Sequence, residues 1–354
     1  MDIRSCTKNR KGLSVDKVAK LSGSDRMDLF KETAARMGLN PVIVEKDFWV
    51  CWILKQLFTI EEFNGRLVFK GGTSLSKCFN LIQRFSEDID IAVDFEKLGF
   101  VDEKDPRQVK LSNTNRSMLL KDLLKACQNY IAEELLPILI KRMKNVLAGD
   151  GWQIQINRND PNTVEFEYPT IIETKLDYIK PMVILELGTH AEPVPNENYD
   201  IKPFAAEYFP KIFIDPIASI PTVVARRTFW EKATILHAEY HRPLDKPIPL
   251  RYSRHYADVA VMCQAQVVDE ALADIRLLKS VITHKDMFYR SGWAKYKEAF
   301  PGSFHLLPRV ERLPAIRRDY REMSDMFFGE PPKFETILKQ LSNIEQRING
   351  TLLN

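Results

Sequence analysis

Cysteine is scarce in this 354-residue chain: Cys6, Cys51, Cys78, Cys127 and Cys263 are scattered, odd in number and never arranged as a CxxC pair. That spacing excludes a disulfide framework and reads as reduced thiols, several of them core residues, in a cytoplasmic protein. The six histidines share no ligand spacing with any cysteine, which leaves no zinc framework. No apolar run approaches the ~20 residues that a membrane helix requires. The opening MDIRSCTKNRKGLSVDK lacks the apolar segment of a secretory signal, so no membrane partner is expected. Excess charge is small as well, +3 overall with no polybasic tail. Nucleic acid could therefore be met only through a local basic groove. Internal repeats and low-complexity stretches are lacking too.

What the chain does have is 45% hydrophobic and 28% charged residues, enough for a sizeable core in one large domain or two to three modest ones. Residues 13–60 show helical periodicity, restarted at Asn40-Pro41. RLVFK at 66–70 is a short apolar strand ended by Gly71-Gly72, and Thr73 or Ser74 can cap the helix SLSKCFNLI that follows. DIDIAVDF at 88–95 alternates with period two, as a half-buried strand does. After a polar connector, residues 116–147 read as one long amphipathic helix, and WQIQIN, TVEFEYP, ETKLDYI and PMVILELG read as strands. The proline-rich stretch 191–210 reads as irregular. Helices are then expected over 222–239, 253–265, 267–281 and 315–328, with a last one aligning Phe334, Ile337, Leu338, Leu341 and Ile344 on one face. The expected class is α/β (α+β): N-terminal helices over 1–60, a mixed-sheet core over 61–220 and a C-terminal helical domain over 221–354.

Carboxylates are poor strand residues, yet DIDIAVDF opens with two. Residues i and i+2 of a strand face the same side, so Asp88 and Asp90 project together while Ile89 and Ile91 enter the core. Adjacent carboxylates raise each other's pKa unless a cation intervenes, and Mg²⁺ typically takes one or two carboxylates plus substrate phosphates. Gly71 and Gly72 let backbone approach a ligand closely, and the helix start near Ser74 offers N–H groups to a phosphate. Either half alone reads as a plain turn or a solvated strand face. Strand, Gly-Gly-Thr-Ser, helix and DxD in that order favour a site for a metal-bound nucleoside triphosphate (NTP). Gly71, Gly72, Thr73, Ser74 and Lys77 are the candidate nucleotide-binding residues, Lys77 sharing roughly the face of Ser74. Arg84 and Ser86 either contact phosphate or cap a turn. Glu186 in VILELG is a candidate third metal carboxylate, since Glu is unwelcome in an apolar strand; it reads equally as an outward residue beside a turn at Gly188.

FKGGTSLSK followed by RFSEDIDI resembles the nucleotidyltransferase toxins of the AbiEii/AbiGii family, within the DNA polymerase β-like superfamily. VEKDFWV at 44–50, YIKPMVILELG at 178–188, RRTFWEKATIL and RYSRHYADVAVM extend the resemblance over roughly residues 40–265. It implies a polymerase β-like core and Mg²⁺-dependent transfer of a nucleoside monophosphate (NMP) from an NTP to an acceptor hydroxyl, often the 3′ end of tRNA. It further implies growth arrest by the toxin of a toxin–antitoxin or abortive-infection pair active in phage defence, with a separately encoded antitoxin. By resemblance Asp88 and Asp90 are catalytic metal ligands, Lys232 of an EK pair contacts the triphosphate, and Asp258 is an aspartate needed for activity. From the residues alone, Lys232 reads as a solvated helix lysine beside Glu231 or Glu239. Arg254, one turn before Asp258, is expected to pair with it.

The basic stretch Arg309, Arg312, Arg317, Arg318 and Arg321 suits RNA phosphates or a solvated face equally. Two other functions fit the same residues: nucleotidyl transfer to a protein or small-molecule hydroxyl, and a nucleotide-binding regulator with a spent site. The intact GG and DxD argue against the latter. Choice of nucleotide depends on pocket shape and is not legible here.

Overall fold

The computed structural model describes residues 12–351 apart from 85, 87, 148, 150 and 173–179, so the strand expected over ETKLDYI lies outside the described residues, as does Cys6. By its contacts the chain forms two compact units. The first comprises Met1–Cys78, Phe85–Lys104 and Ser117–Thr222; the second comprises Phe79–Arg84, Asp105–Arg116 and Val223–Asn354.

Among the described residues nine strands run in chain order as β1 (Leu13–Ser14), β2 (Leu67–Lys70), β3 (Asp88–Val93), β4 (Gln153–Ile156), β5 (Thr163–Glu167), β6 (Met182–Gly188), β7 (Asn196–Ile201), β8 (Phe213–Asp215) and β9 (Ala218–Val223). Seven of them form the sheet of the first unit in the order β4-β5-β6-β3-β2-β9-β7, and β1 pairs with β8 separately. The sheet is mixed: β3 runs antiparallel to β2 and parallel to β6, while β2 runs parallel to β9. β3 is thus an interior strand with a neighbour on each side. Its alternate residues Ile89 and Ile91 are buried, whereas Asp88 and Asp90 are half-buried on the opposite face.

Against this sheet packs the helix Pro41–Phe58, started by Asn40, whose side chain accepts the Val42 N–H at 3.0 Å, with Pro41 at the first position. Fifteen of its 18 residues are buried, which explains why its sequence lacks a polar face. Trp49 stacks on Tyr168 at 5.7 Å and meets Phe166 and Trp52 edge-on. Burying charged residues in such a helix requires partners. Glu45 accepts from the Thr170 hydroxyl at 2.8 Å and the Ile171 N–H at 3.0 Å, and Asp47 accepts from the Phe204 N–H at 2.7 Å.

Two expectations change here. The helix expected over 116–147 is interrupted: Asn113–Tyr130 passes through a π turn, Ile131–Leu135, into Leu136–Val146. Pro137 has no N–H to give, and the wider turn lies directly before it. The stretch 191–210, expected to be irregular, contains β7 and a short helix, Phe204–Tyr208, and is followed by β8 and β9. Prolines 193, 195, 203, 216 and 221 hid these strands; β7 lies at the sheet edge, where missing donors are tolerated.

The second unit is helical. Trp230, on the helix Ala225–Tyr240, donates its ring N–H to the Ala271 carbonyl at 3.2 Å and packs against Phe229 and Phe304. The helix expected over 267–281 is two, Gln266–Ala273 and Ile275–Phe288, because Asp274 caps the second by accepting from Leu277 N–H. The last helix, Phe334–Asn349, buries Phe334, Ile337, Leu341, Ile344 and Ile348. Leu313–Glu322 replaces the helix expected over 315–328, and its Asp319 accepts from the backbone N–H groups of Arg251 and Ser253 and from the Ser253 hydroxyl. That capping holds the start of the helix Ser253–Met262.

Candidate functional site

In the first unit, antiparallel register sets Lys70 opposite Asp90, and the chain turns immediately afterwards at Gly71. Gly71 has φ +79°, and a Cβ built there would stand 1.8 Å from Oδ2 of Asp90 and 2.5 Å from its Cγ. Only glycine satisfies both the backbone and the space. The helix Gly71–Lys77 follows at once. Thr73 donates its hydroxyl to the Asp88 carbonyl at 2.5 Å, and Ser74 donates to the Gly71 carbonyl at 2.8 Å. The two hydroxyls expected to meet a ligand instead fix the glycine turn against the strand that carries the aspartates. Parallel register sets Glu186 beside Asp90 and Ile184 beside Asp88. The aspartates therefore stand on the face of an interior strand, at its first turn of residues, not on a sheet edge.

Lys77 departs from its expected role. Its Nζ lies 2.6 Å from Oδ1 of Asp47 and 4.1 Å from the centre of the Phe204 ring, and both charged side chains are buried. Burial opposes the charge, but the Asp47 carboxylate more than compensates and holds the Lys77 ammonium above its usual range. A lysine so paired ties the helix Gly71–Lys77 to the helix Pro41–Phe58 and has no charge left for a phosphate.

A metal must be judged from the donors. Glu186, the candidate third ligand, is exposed, and among the described residues no group of three or more His, Cys, Asp or Glu side chains could hold an ion. Asp88 and Asp90 together suit Mg²⁺, which needs only one or two carboxylates when phosphates and water complete the shell. The pair Asp88 and Asp90 fits an ion arriving with its nucleotide, and Glu186 lies on the neighbouring strand in register with Asp90.

The second unit holds another charged cluster. Asp258 accepts from Arg84 through both oxygens, Nε at 2.7 Å and Nη2 at 2.8 Å, and its Oδ2 lies 2.9 Å from Nζ of Lys232. Asp258 is 1% exposed, Arg84 3% and Lys232 7%. Burial pushes the Asp258 carboxyl up, but Arg84 and Lys232 outweigh it and hold the group well below the carboxylate range. Arg84 thus takes the place expected of Arg254, and Lys232 is neither solvated nor paired with Glu231 or Glu239. Glu231 accepts from Arg227 at 3.0 Å and Glu239 from Arg242. The Arg84–Asp258 bond joins residues 174 apart, so no spacing rule could have found it. Of the basic stretch, Arg309 pairs with Glu311, Arg317 with Glu335, and Arg312 is buried, donating to the Lys246 carbonyl at 2.8 Å. Arg318 and Arg321 remain exposed on the helix Leu313–Glu322.

A mixed sheet that sets paired aspartates behind a glycine turn is a frame for phosphoryl chemistry on a nucleotide, and the comparisons with known proteins name the class. The family model of the nucleotidyl transferase AbiEii toxin, Type IV toxin–antitoxin system, matches residues 52–340. The chain belongs to that family, and it is a nucleotidyltransferase toxin of a toxin–antitoxin system. A search of the curated proteins gave no match. Among solved structures the chain is similar to MenT4, a nucleotidyltransferase toxin from Mycobacterium tuberculosis H37Rv, with 15% identity and a TM-score of 0.35 over 94% of this chain and 99% of that one. It is also similar to JHP933 from Helicobacter pylori, with 15% identity and a TM-score of 0.32 over 84% and 88% of the two chains. No helix among the described residues is long and apolar enough to cross a membrane.

Proposed function

We propose that this toxin transfers an NMP from an NTP to an acceptor hydroxyl, with Mg²⁺ as cofactor and the 3′ end of tRNA as acceptor, and that a separately encoded antitoxin counters it. The reading rests above all on the abutment of Gly71 against the Asp90 carboxylate, which lies where a side chain at 71 would stand, so that the bare glycine backbone borders the acid directly. Asp88 and Asp90 would hold the ion, with Asp88 kept in place by the Thr73 hydroxyl on its carbonyl. Bound Mg²⁺ would polarise the α-phosphate and lower the pKa of the acceptor hydroxyl. The backbone of Gly71 and Gly72 borders the phosphates, and Thr73 and Ser74 hold that backbone still. By the family resemblance Lys232 is the lysine assigned to the triphosphate, a point charge of the kind phosphates attract. Asp258 is not proposed as a base, because its oxygens are occupied by two cations. The tRNA acceptor comes from the family resemblance, with Arg318 and Arg321 as the exposed cations suited to RNA.

The test is incubation of the purified protein with each labelled NTP, Mg²⁺, and either total RNA or lysate protein. Label is expected on tRNA, and it should vanish when Asp88→Asn and Asp90→Asn are combined. Label on protein would move the acceptor to the second class. Label that survives the double substitution would overturn the site.

A further inference from the structure

Within the second unit a stack of rings ends at an open cavity. Tyr240, the last residue of the helix Ala225–Tyr240, lies face to face with His305, the ring centres 3.8 Å apart and the planes within 11°. His305 is near-parallel in turn to the buried His237, at 5.8 Å, and its backbone N–H donates to Nδ1 of His237 at 3.2 Å, which ties the stack together. His241 stands nearly perpendicular to the upper two rings, 5.1 Å from Tyr240 and 5.5 Å from His305. Such similar distances place it beside the stack and not over the outer face of Tyr240. Among the described residues no further ring contact reaches Tyr240, so no ring covers that face.

Tyr240 and His241 line a cavity of about 460 Å³ together with Pro308, Arg309, Val310 and Glu311. That volume lies within the range of roughly 300–1,000 Å³ found for small-ligand sites. His305 is not among the lining residues, so the cavity meets the part of Tyr240 that the stack leaves bare. Val310, 77% exposed, and the exposed Glu311 open it to solvent, which lets a chain enter and leave. Arg309 is the one cation among the described residues that line it, and it donates to Glu311 at 2.9 Å. A guanidinium carries five N–H donors, so one bond to a carboxylate leaves several for another oxyanion. One arginine shared with an acid suits the single charge of a phosphodiester and falls short of the several charges of a triphosphate.

We propose that this cavity binds one unpaired nucleotide of an RNA strand, its base stacking on the outer face of Tyr240 and its phosphate bonding to Arg309. The rings beneath Tyr240 hold it in place before the base arrives, so little ordering is left to be done on binding. Bases inside a duplex already cover one another, and a single strand is therefore preferred. The inference rests on the reading of an RNA acceptor and deepens it.

Fluorescence anisotropy on the full chain, without NTP or Mg²⁺, tests it with a short labelled single-stranded RNA of mixed sequence and with the duplex of that strand. Tyr240→Ala and Tyr240→Leu are expected to weaken single-strand binding about tenfold while duplex binding stays within about twofold, and Tyr240→Phe, which keeps the ring, to restore the single strand to within about twofold of wild type. Arg309→Gln should lower the slope of log affinity against log salt by about 0.7, the loss of one phosphate contact. Single-strand binding unchanged in Tyr240→Ala or Tyr240→Leu, or a salt slope unchanged in Arg309→Gln, would overturn the proposal. AMP that displaced the strand at equal concentration would make the ligand a free nucleotide and overturn it too, as would intact RNA affinity with lost antitoxin binding in Tyr240→Leu, which would give the cavity to a protein. Where Tyr240→Ala fails to fold, Tyr240→Leu and Arg309→Gln decide. Wild-type protein that labels tRNA while Tyr240→Leu binds the single strand normally would sink the cavity alone. Wild-type protein that binds neither form of RNA and labels protein instead would sink the RNA reading beneath it.

Discussion

Lys77 and Lys232 are each a lysine on a helix beside a buried aspartate, and they differ in the charge balance around them. Lys77 and Asp47 make a neutral pair, one cation to one anion, 2.6 Å apart, with the Phe204 ring over the ammonium. Lys232 shares Asp258 with Arg84, so this carboxylate faces two cations. A neutral buried pair holds two elements together and answers to no ligand. A carboxylate held by two cations keeps a partner when one is lost, whereas a carboxylate with a single cation does not, and that separates the two lysines in what each does for the fold.

The comparison breaks most visibly under parallel substitutions. Lys77→Met should cost about 3–5 kcal/mol of stability by leaving Asp47 buried without its cation. Adding Asp47→Leu should recover most of that loss in a denaturant melt. Lys232→Met should leave the melt near wild type, because Arg84 still neutralises Asp258, while transfer of label falls on the order of 10²–10³-fold. Lysines that lost stability and activity in the same proportion would erase the distinction.

A smaller effect sharpens the same point with a group whose partners depend on its being neutral. His237 is buried, its Nδ1 accepting from the His305 backbone N–H at 3.2 Å and its Nε2 facing the Lys295 carbonyl at 3.2 Å. Burial, then His241, then His305 push its pKa down to about 4, against the partial pull of Lys295 and Glu298. A folded pKa below the unfolded value means the unfolded chain binds the proton first. Stability from this group is therefore complete above pH ~6.5 and falls as pH drops towards 4, by at most about 3 kcal/mol. His237→Asn should flatten that slope in urea melts taken across the window; an unchanged slope would mean the Nδ1 bond is not what titrates.

Much of the first unit was legible because its signals are local. The period-two run from Asp88 to Val93, the glycines after RLVFK and the Asn40-Pro41 start all act within a few residues, and each appears where it was read. Contacts far apart in the chain were not legible. Lys77 was read beside Ser74 on the helix after the glycines, but its partner, Asp47, lies thirty residues earlier on another helix. Arg84 read as either a phosphate contact or a turn cap, and its partner Asp258 lies 174 residues on. Glu186 read equally as a metal ligand and as an outward residue, and only the register shows that it stands beside Asp90, exposed, on the neighbouring strand. β9 escaped notice because Pro221 interrupts its alternation, although it pairs directly with the strand leading to the glycine turn.

The central claim is that Gly71 is glycine because the Asp90 carboxylate occupies the place of its Cβ, which sets the glycine turn directly against the acid. Gly71→Ala puts a methyl group where the carboxylate now lies, displacing Asp90 and straining a positive-φ residue by about 1–3 kcal/mol. Rates of NMP transfer per folded molecule, measured for wild type and Gly71→Ala with the preferred NTP and saturating Mg²⁺, should differ on the order of 10²-fold. Equal rates in the two proteins would show that the turn and the aspartate do not form the reacting site.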